Sequence, residues 1–259
     1  MNPSELKLIV QEKYGKIASS DEAASDSCCC TPGCCSPGDI STFNESYEHL
    51  EGYVPEADMS LGCGVPVDFA DIRPGDHVLD LGSGAGNDCF VARTLTGETG
   101  HVTGIDFTEP MLRKAEENRK KLGYANVVFV YGDIEEIPLP DDSYDVVLSN
   151  CVLNLVPDKQ KAFSEIFRVL KNGGHFCVSD VVVKGTLSDK ARSDAELYAG
   201  CVSGASTMDE YVGFIAHSGF SDIILHKEKR IQMPADVLER HDENDTDGIY
   251  SITLSAKKP

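Results

Sequence analysis

From residue 76 onward, short apolar runs alternate with amphipathic stretches at a steady pace. HVLDLGSG (77–84) reads as a strand running into a glycine turn, 87–96 as a helix, and HVTGIDF (101–107) as a second strand. TEPMLRKAEENRKKLG (108–123) is a helix with proline near its start and glycine at its end. VVFVYGDI (127–134) is a third strand, and YDVVLSNCVLNLV (144–156) a fourth that leads into a loop. DKQKAFSEIFRVLKNGG (158–174) is a helix stopped by Asn-Gly-Gly, and HFCVSDVVV (175–183) is a fifth strand. Apolar strands alternating with helices predict a parallel sheet covered on both faces. Two more helical stretches follow, near 188–198 and 207–217. SDIILHKEKRIQM and GIYSITLSAKK then alternate with period two, as an antiparallel pair at a sheet edge would.

The first third of the chain has another character. Leu6, Val10, Tyr14 and Ile17 fall on one face of a predicted helix over 3–18, with Asn2, Pro3 and Glu5 as its cap. Residues 19–42 are Ser, Asp, Gly, Pro and Cys with almost no large apolar residue, and so read as a loop. Residues 43–73 are short and mixed. The expected organisation is an N-terminal arm, 1–73, holding a helix and a cysteine-rich loop. A single α/β domain over 74–259 follows, with a helical insertion at about 184–218 that would bind substrate. No internal repeat is visible.

Composition narrows the function. The 259 residues carry 43 acidic against 23 basic side chains, a net charge of −20. Such a surface repels phosphate backbones and anionic lipid, so neither a nucleic acid nor a membrane surface is an expected partner. No stretch has signal-peptide character or bilayer-spanning length, which makes the cytoplasm the expected compartment. Thiols stay reduced there, so the ten cysteines read as metal-binding, redox or catalytic before they read as disulfides.

The run Asp80-Leu-Gly-Ser-Gly-Ala-Gly86 ends the first strand and opens a helix. Small residues there let a ligand approach the backbone, and the helix offers free N–H groups. Asp106 ends the next strand, placed to accept hydrogen bonds from ribose hydroxyls. The dinucleotide fingerprint would need glycine where the chain has Asn87. An acidic residue at Asp80 suits a ligand that carries an amino acid rather than a pyrophosphate. This spacing resembles the first motif of class I methyltransferases, which implies S-adenosylmethionine as cofactor, contacted by Asp80, Gly82, Ser83, Gly84 and Asp106. Gly132-Asp133-Ile134 resembles that family's adenine pocket, Asp133 taking the exocyclic amine and Ile134 covering the ring. Asn150, ending the fourth strand, is assigned to the same cleft.

The fold does not name a substrate. No His–Asp pair or paired carboxylates accompany the cleft, as a hydroxyl or amine substrate would usually require. Cysteines do. Cys89 in a helix and Cys177 in a strand read as small buried hydrophobes. Cys63, Cys151 and Cys201 stand beside glycine or asparagine in loop-like contexts, where spacing alone leaves that reading open.

VLDLGSGAGNDCF, TEPML, SNCVLNLVPDK, RVLKNGGHFCVSDVV and GCVSGA, with LGCG and YGKIAS upstream, together resemble the arsenite methyltransferase family across nearly the whole chain. The resemblance implies a class I methyltransferase sheet, mostly parallel with an antiparallel C-terminal pair. It implies that Cys63, Cys151 and Cys201 hold trivalent arsenic while S-adenosylmethionine methylates it, so that arsenic is detoxified. Trivalent arsenic is soft and thiophilic, three sulfurs leave its lone pair free, and the substrate is then its own nucleophile. A thiol reductant, thioredoxin or glutathione, is implied as partner. Two positions depart from the family: Val65 replaces the usual asparagine, and Asn87 an aromatic or aliphatic residue. Neither is expected to touch a ligand.

CCCTPGCC (28–35) packs five cysteines into eight positions. A zinc knot would want C-x-x-C pairs, and no histidine is near. Cys28, Cys29, Cys30, Cys34 and Cys35 are assigned capture of arsenic from thiol complexes, or a thiol relay, with zinc or incidental thiols as alternatives. Two rival functions stand beside the main one: a methyltransferase of a small organic acceptor, and a non-catalytic arsenic- or metal-binding thiol protein.

Overall fold

The structure, a computed structural model, describes residues 2–19, 45–194, 197, 201–233, 237–239 and 246–259. The cysteine cluster at 28–35 lies outside the described residues.

Helix α1 (Pro3–Ser19) opens the chain. Its start is a reciprocal cap: the Asn2 N–H donates to Glu5 and the Glu5 N–H to Asn2, both at 2.9 Å. Strands and helices then alternate as β1 (His77–Leu81), α2 (Asn87–Thr96), β2 (His101–Asp106), α3 (Glu109–Leu122), β3 (Val127–Tyr131) and β4 (Tyr144–Asn150). Helix α4 (Lys159–Val169) runs directly into the long strand β5 (Leu170–Lys184). The last part holds β6 (Thr186–Leu187), α5 (Asp189–Ser193), α6 (Met208–His217), β7 (Ser221–Ile231), β8 (Leu238–Glu239) and β9 (Gly248–Lys257). Among the described residues no helix is long and apolar enough to cross a membrane.

The main sheet has the order β3-β2-β1-β4-β5-β9-β7. The first five strands in that row run parallel; β9 is antiparallel to both β5 and β7. The final strand therefore inserts inside the sheet and β7 forms the edge. Exposed Lys227, Lys229 and Arg230 charge that edge and so discourage pairing with another sheet. A two-stranded sheet of β6 and β8 stands apart.

Successive residues of β1 feed opposite cores, as the strand period requires. Leu79 and Leu81 join Phe163 and Ile166 of α4 and Tyr211 and Ile215 of α6 on one face. Val78 joins Phe90 and Val91 of α2 on the other, with Tyr47, Ala57, Val65 and Val67 from the segment before β1. Phe163 meets Tyr211 edge-on at 5.4 Å, a geometry worth about 1 kcal/mol beyond burial.

One boundary departs from the pattern. The fourth helix was expected to run to Asn172-Gly173-Gly174, but it ends at Val169. Leu170 turns extended and is fully buried against Tyr144, while the next ladder pair is Val146 with His175. Residues 171–174 are thus a bulge in β5, not a helix end. The expected 188–198 helix is interrupted: α5 spans Asp189–Ser193, Asp194 is extended, and among the described residues beyond it Leu197 is again helical.

Candidate functional site

A cleft of about 1060 Å³, counted to its open mouth, lies at the carboxyl ends of β1, β2, β3 and β4. Ligands bind at this end of an open α/β sheet because the strand-to-helix turns present free backbone groups there. Gly82 (φ +67°) and Gly84 (φ +52°) adopt the left-handed conformation that tightens the first turn. A Cβ on Gly82 would strike Val152, whereas one on Gly84 would meet nothing within 4 Å: that face is open to the cleft.

Asp106 sits at the end of β2. Its carboxylate accepts from the Gly84 N–H at 3.0 Å and the Thr108 N–H at 2.8 Å, which fixes it against the turn. Burial raises its pKa, and those N–H donors oppose the rise. Asp133 and Ile134 line the cleft beyond it, as do Ser83 and Asn150. Ser83 Oγ and Asn87 Oδ1 are buried polar atoms without a protein partner, and both belong to cleft-lining residues. Asn87, expected to touch no ligand, is therefore on the wall; as the first residue of α2 it is carried there by the glycine turn. Val65 lies in the core instead.

Asp80 is placed behind that wall, 2% exposed, with the Cys89 thiol donating to it at 3.2 Å. Burial, and then the nearby Asp88 charge, push Asp80 well above the usual carboxylate range. Asp88 reaches the cleft, where Tyr47 Oη donates to it at 2.7 Å. Burial pushes Asp88 up to about 6, against the Tyr47 and Asn150 hydrogen bonds. Sequence reasoning missed Asp88 and Tyr47, because the second arrives from a loop forty-one residues upstream.

The thiols stand at the deep end. Cys63, Cys151 and Cys201 are 1%, 4% and 2% exposed and share one cluster with Val10 of α1 and Val181 and Val183 of β5. Cys201 Sγ donates to the Cys151 carbonyl at 2.9 Å. Sγ of Cys63 and Cys151 and a carboxylate oxygen of Asp180 all lie within 4.8 Å of one another. Three chain segments far apart in sequence thus meet at one point, and Cys151 also lines the cleft. Cys151 (φ +58°) and Cys201 (φ +65°) are left-handed without being glycine, a conformation costing about 1–2 kcal/mol each that packing must hold.

Asn150 ties cleft to cluster. Its Oδ1 accepts from the Cys63 N–H at 3.1 Å, and its Nδ2 donates to Tyr47 Oη at 2.7 Å and the Gly64 carbonyl at 2.9 Å. The Cys63 thiol is raised by burial, and the Cys201 thiol first by the Cys151 thiol and then by burial. For Cys151 the Cys201 thiol opposes the rise, while Cys63 and burial carry it well upward. Cys89 and Cys177, in contrast, are fully buried away from the cleft, in the core. Among the described residues no histidine lines the cleft.

Comparison with known proteins agrees with this geometry. Residues 72–232 match the family described as a methyltransferase domain. An arsenite methyltransferase of Halobacterium salinarum is 38% identical, over the whole of this chain and 68% of its own length. The arsenite methyltransferase of Mus musculus is 40% identical over 64% of this chain but 45% of its own length, so this chain spans less than half of that relative. Among solved structures, CrArsM of Chlamydomonas reinhardtii, an arsenic (III) S-adenosylmethionine methyltransferase, superposes with a TM-score of 0.65. It is 39% identical and covers 76% of this chain and 67% of its own. By its cleft, its fold and its full-length match to the archaeal relative, this chain belongs to the arsenite methyltransferase family.

Proposed function

We propose that the chain transfers methyl groups from S-adenosylmethionine to trivalent arsenic held by Cys63, Cys151 and Cys201. Cys151 carries the reading: it belongs to the cofactor-sized cleft and to the buried thiol cluster at once.

The residues present fit that cofactor. Ser83 Oγ and Asn87 Oδ1 are buried, unsatisfied and on the wall, so both are available to a bound ligand as hydrogen-bond partners. Asp106 suits the ribose, and Asp133 with Ile134 the adenine. Asp88 suits the methionine ammonium, and Asp80 packs behind it with its pKa raised well above the usual range by burial and by Asp88. When bound, the cofactor supplies a sulfonium methyl group, the electrophile for an arsenic lone pair. The chain's own part is positioning and exclusion of water.

The thiols capture arsenic by ligand exchange. Each cysteine S–H gives up its proton to the hydroxide or thiolate it displaces, so water or free thiol leaves and an arsenic–sulfur bond forms. No general base is needed, which accounts for a cleft without histidine. Three sulfurs hold arsenic as a pyramid. Tyr14 of α1, whose hydroxyl pKa is raised by burial and by the neighbouring thiols, stays protonated and lines the site. A thiol reductant such as thioredoxin or glutathione, in a cytoplasmic setting, keeps the cysteines reduced. Cys28, Cys29, Cys30, Cys34 and Cys35 are assigned delivery of arsenic from its thiol complexes.

Arsenic speciation by chromatography with elemental detection tests the reading. Arsenite, S-adenosylmethionine and excess thiol yield methylated arsenic with the wild type and none with Cys151→Ser, which still binds the cofactor. No methylated arsenic from a wild type that binds the cofactor would turn the search to organic acceptors.

A further inference from the structure

The tightest group of donor atoms at the thiol end is not three sulfurs. It is Cys63, Cys151 and Asp180, all buried and within 4.8 Å of one another, with Cys201 hydrogen-bonded to Cys151 beside them. Asp180 lies in β5, one residue after Ser179, whose carbonyl accepts the Cys151 N–H at 2.8 Å. That bond sets the β4 end against β5 and brings the carboxylate to the thiols.

The carboxylate is also held from behind. The Val181 N–H donates to one oxygen at 2.9 Å, and Tyr211 Oη from α6 donates to the other at 3.1 Å. Carboxylates that bind metal ions are oriented by such outer hydrogen bonds. Trivalent arsenic leaves this oxygen unused, since three sulfurs and a lone pair complete its shell. A d¹⁰ divalent cation has no lone pair and takes four donors in a tetrahedron, sulfur at about 2.3 Å and oxygen at about 2.0–2.2 Å. Those bond lengths put neighbouring donors roughly 3.5–3.8 Å apart, so Cys63, Cys151 and Asp180 need contract by only about 1 Å. Cys201 Sγ lies outside that group, 2.9 Å from the Cys151 carbonyl, and would turn from it to complete the four.

We propose that Cys63, Cys151, Cys201 and Asp180 form an inhibitory site for a thiophilic divalent cation, zinc or cadmium, with Asp180 as the oxygen ligand. Entry is through the cleft, whose wall includes Cys151. Each cysteine that binds loses its proton to solvent as a cation–sulfur bond forms, and nothing is oxidised or reduced. The bound ion occupies the thiols, carries no lone pair to methylate, and excludes arsenic until it is withdrawn. The carboxylate sets the choice between the two: it adds one donor and one negative charge for a cation and nothing for arsenic.

The test uses the full chain with serine at 28, 29, 30, 34 and 35, so that those thiols contribute no signal. Zinc alone is titrated against a chromophoric chelator, and arsenite binding is followed separately. The expected result is one tight zinc per chain with three sulfurs and one oxygen by X-ray absorption, and mutual exclusion of zinc and arsenite. Asp180→Asn should weaken zinc at least about tenfold, which is 1.4 kcal/mol, and shift arsenite affinity less than threefold. Absence of zinc binding, fewer than three sulfurs, or equal zinc affinity in Asp180→Asn overturns the proposal. Because zinc is titrated alone, the result stands even where arsenic methylation fails, and the speciation experiment stands where zinc fails.

Discussion

Asp180 is 1% exposed, and burial pushes its pKa up to about 6, against the opposing Val181 N–H, Lys159 charge and Tyr211 hydrogen bond. An unfolded aspartate titrates near 3.9. Between these values the native chain holds more protons than the unfolded one, so this group's contribution falls as pH rises through that window and is lost above it. The penalty at neutral pH is about 3 kcal/mol, and an amide in its place avoids it but weakens the Tyr211 bond by about 1 kcal/mol. Asp180→Asn is therefore expected to melt higher than the wild type near about pH 8, by roughly 4 °C or more, and to lose that margin near about pH 4. Thermal melts across that range check it. Asp180 was not legible as a site residue: within HFCVSDVVV it reads as one polar position of a buried strand. Only the Ser179–Cys151 bond and the α6 tyrosine show what it faces. The three cysteines were legible, but from a resemblance; spacing alone left them open, since their meeting depends on loops from three parts of the chain.

Helix α1 illustrates what an element adds that its own pattern hides. Its apolar face, Leu6, Val10 and Tyr14, was readable from helical spacing, and it packs on the thiol cluster. The role of the next position was not readable. Lys7 forms ion pairs with both Asp133 and Glu135, and it lines the cleft with them held against it. Asp133 is the carboxylate proposed for the adenine amine, so the helix and the cofactor compete for one group. A partly exposed pair is worth at most about 1 kcal/mol. Lys7→Met is expected to raise affinity for S-adenosylhomocysteine by up to about fivefold in a calorimetric titration, with little change in melting temperature. A fall in affinity would mean instead that Lys7 holds α1 closed over the bound ligand. The α/β alternation was easier to read, because the central strands β1 and β4 are apolar on both faces and the helices between strands are amphipathic. The 171–174 bulge and the β6–β8 pair were not, since two-residue strands carry no period and Asn-Gly-Gly marks a bulge as readily as a helix end.

For the whole molecule, the charge of −20 was first a reason to exclude polyanions, and the cleft gives it a second consequence. Asp58, Asp88, Asp106 and Asp133 line the cavity, and among the described residues Lys7 is the only basic side chain that lines it. S-adenosylmethionine carries one more positive charge than S-adenosylhomocysteine, while arsenite is neutral. The field of the protein thus favours the cofactor over its product, and methyl transfer removes the charge that the field holds. Salt should expose this: between about 0.01 M and about 0.1 M ionic strength the screening length falls from roughly 30 Å to roughly 10 Å. Over that range the dissociation constant for S-adenosylmethionine is expected to rise several-fold while that for S-adenosylhomocysteine barely changes, by parallel calorimetric titrations. Equal slopes for the two ligands would confine the acidic excess to solubility and leave discrimination to contacts at the sulfur.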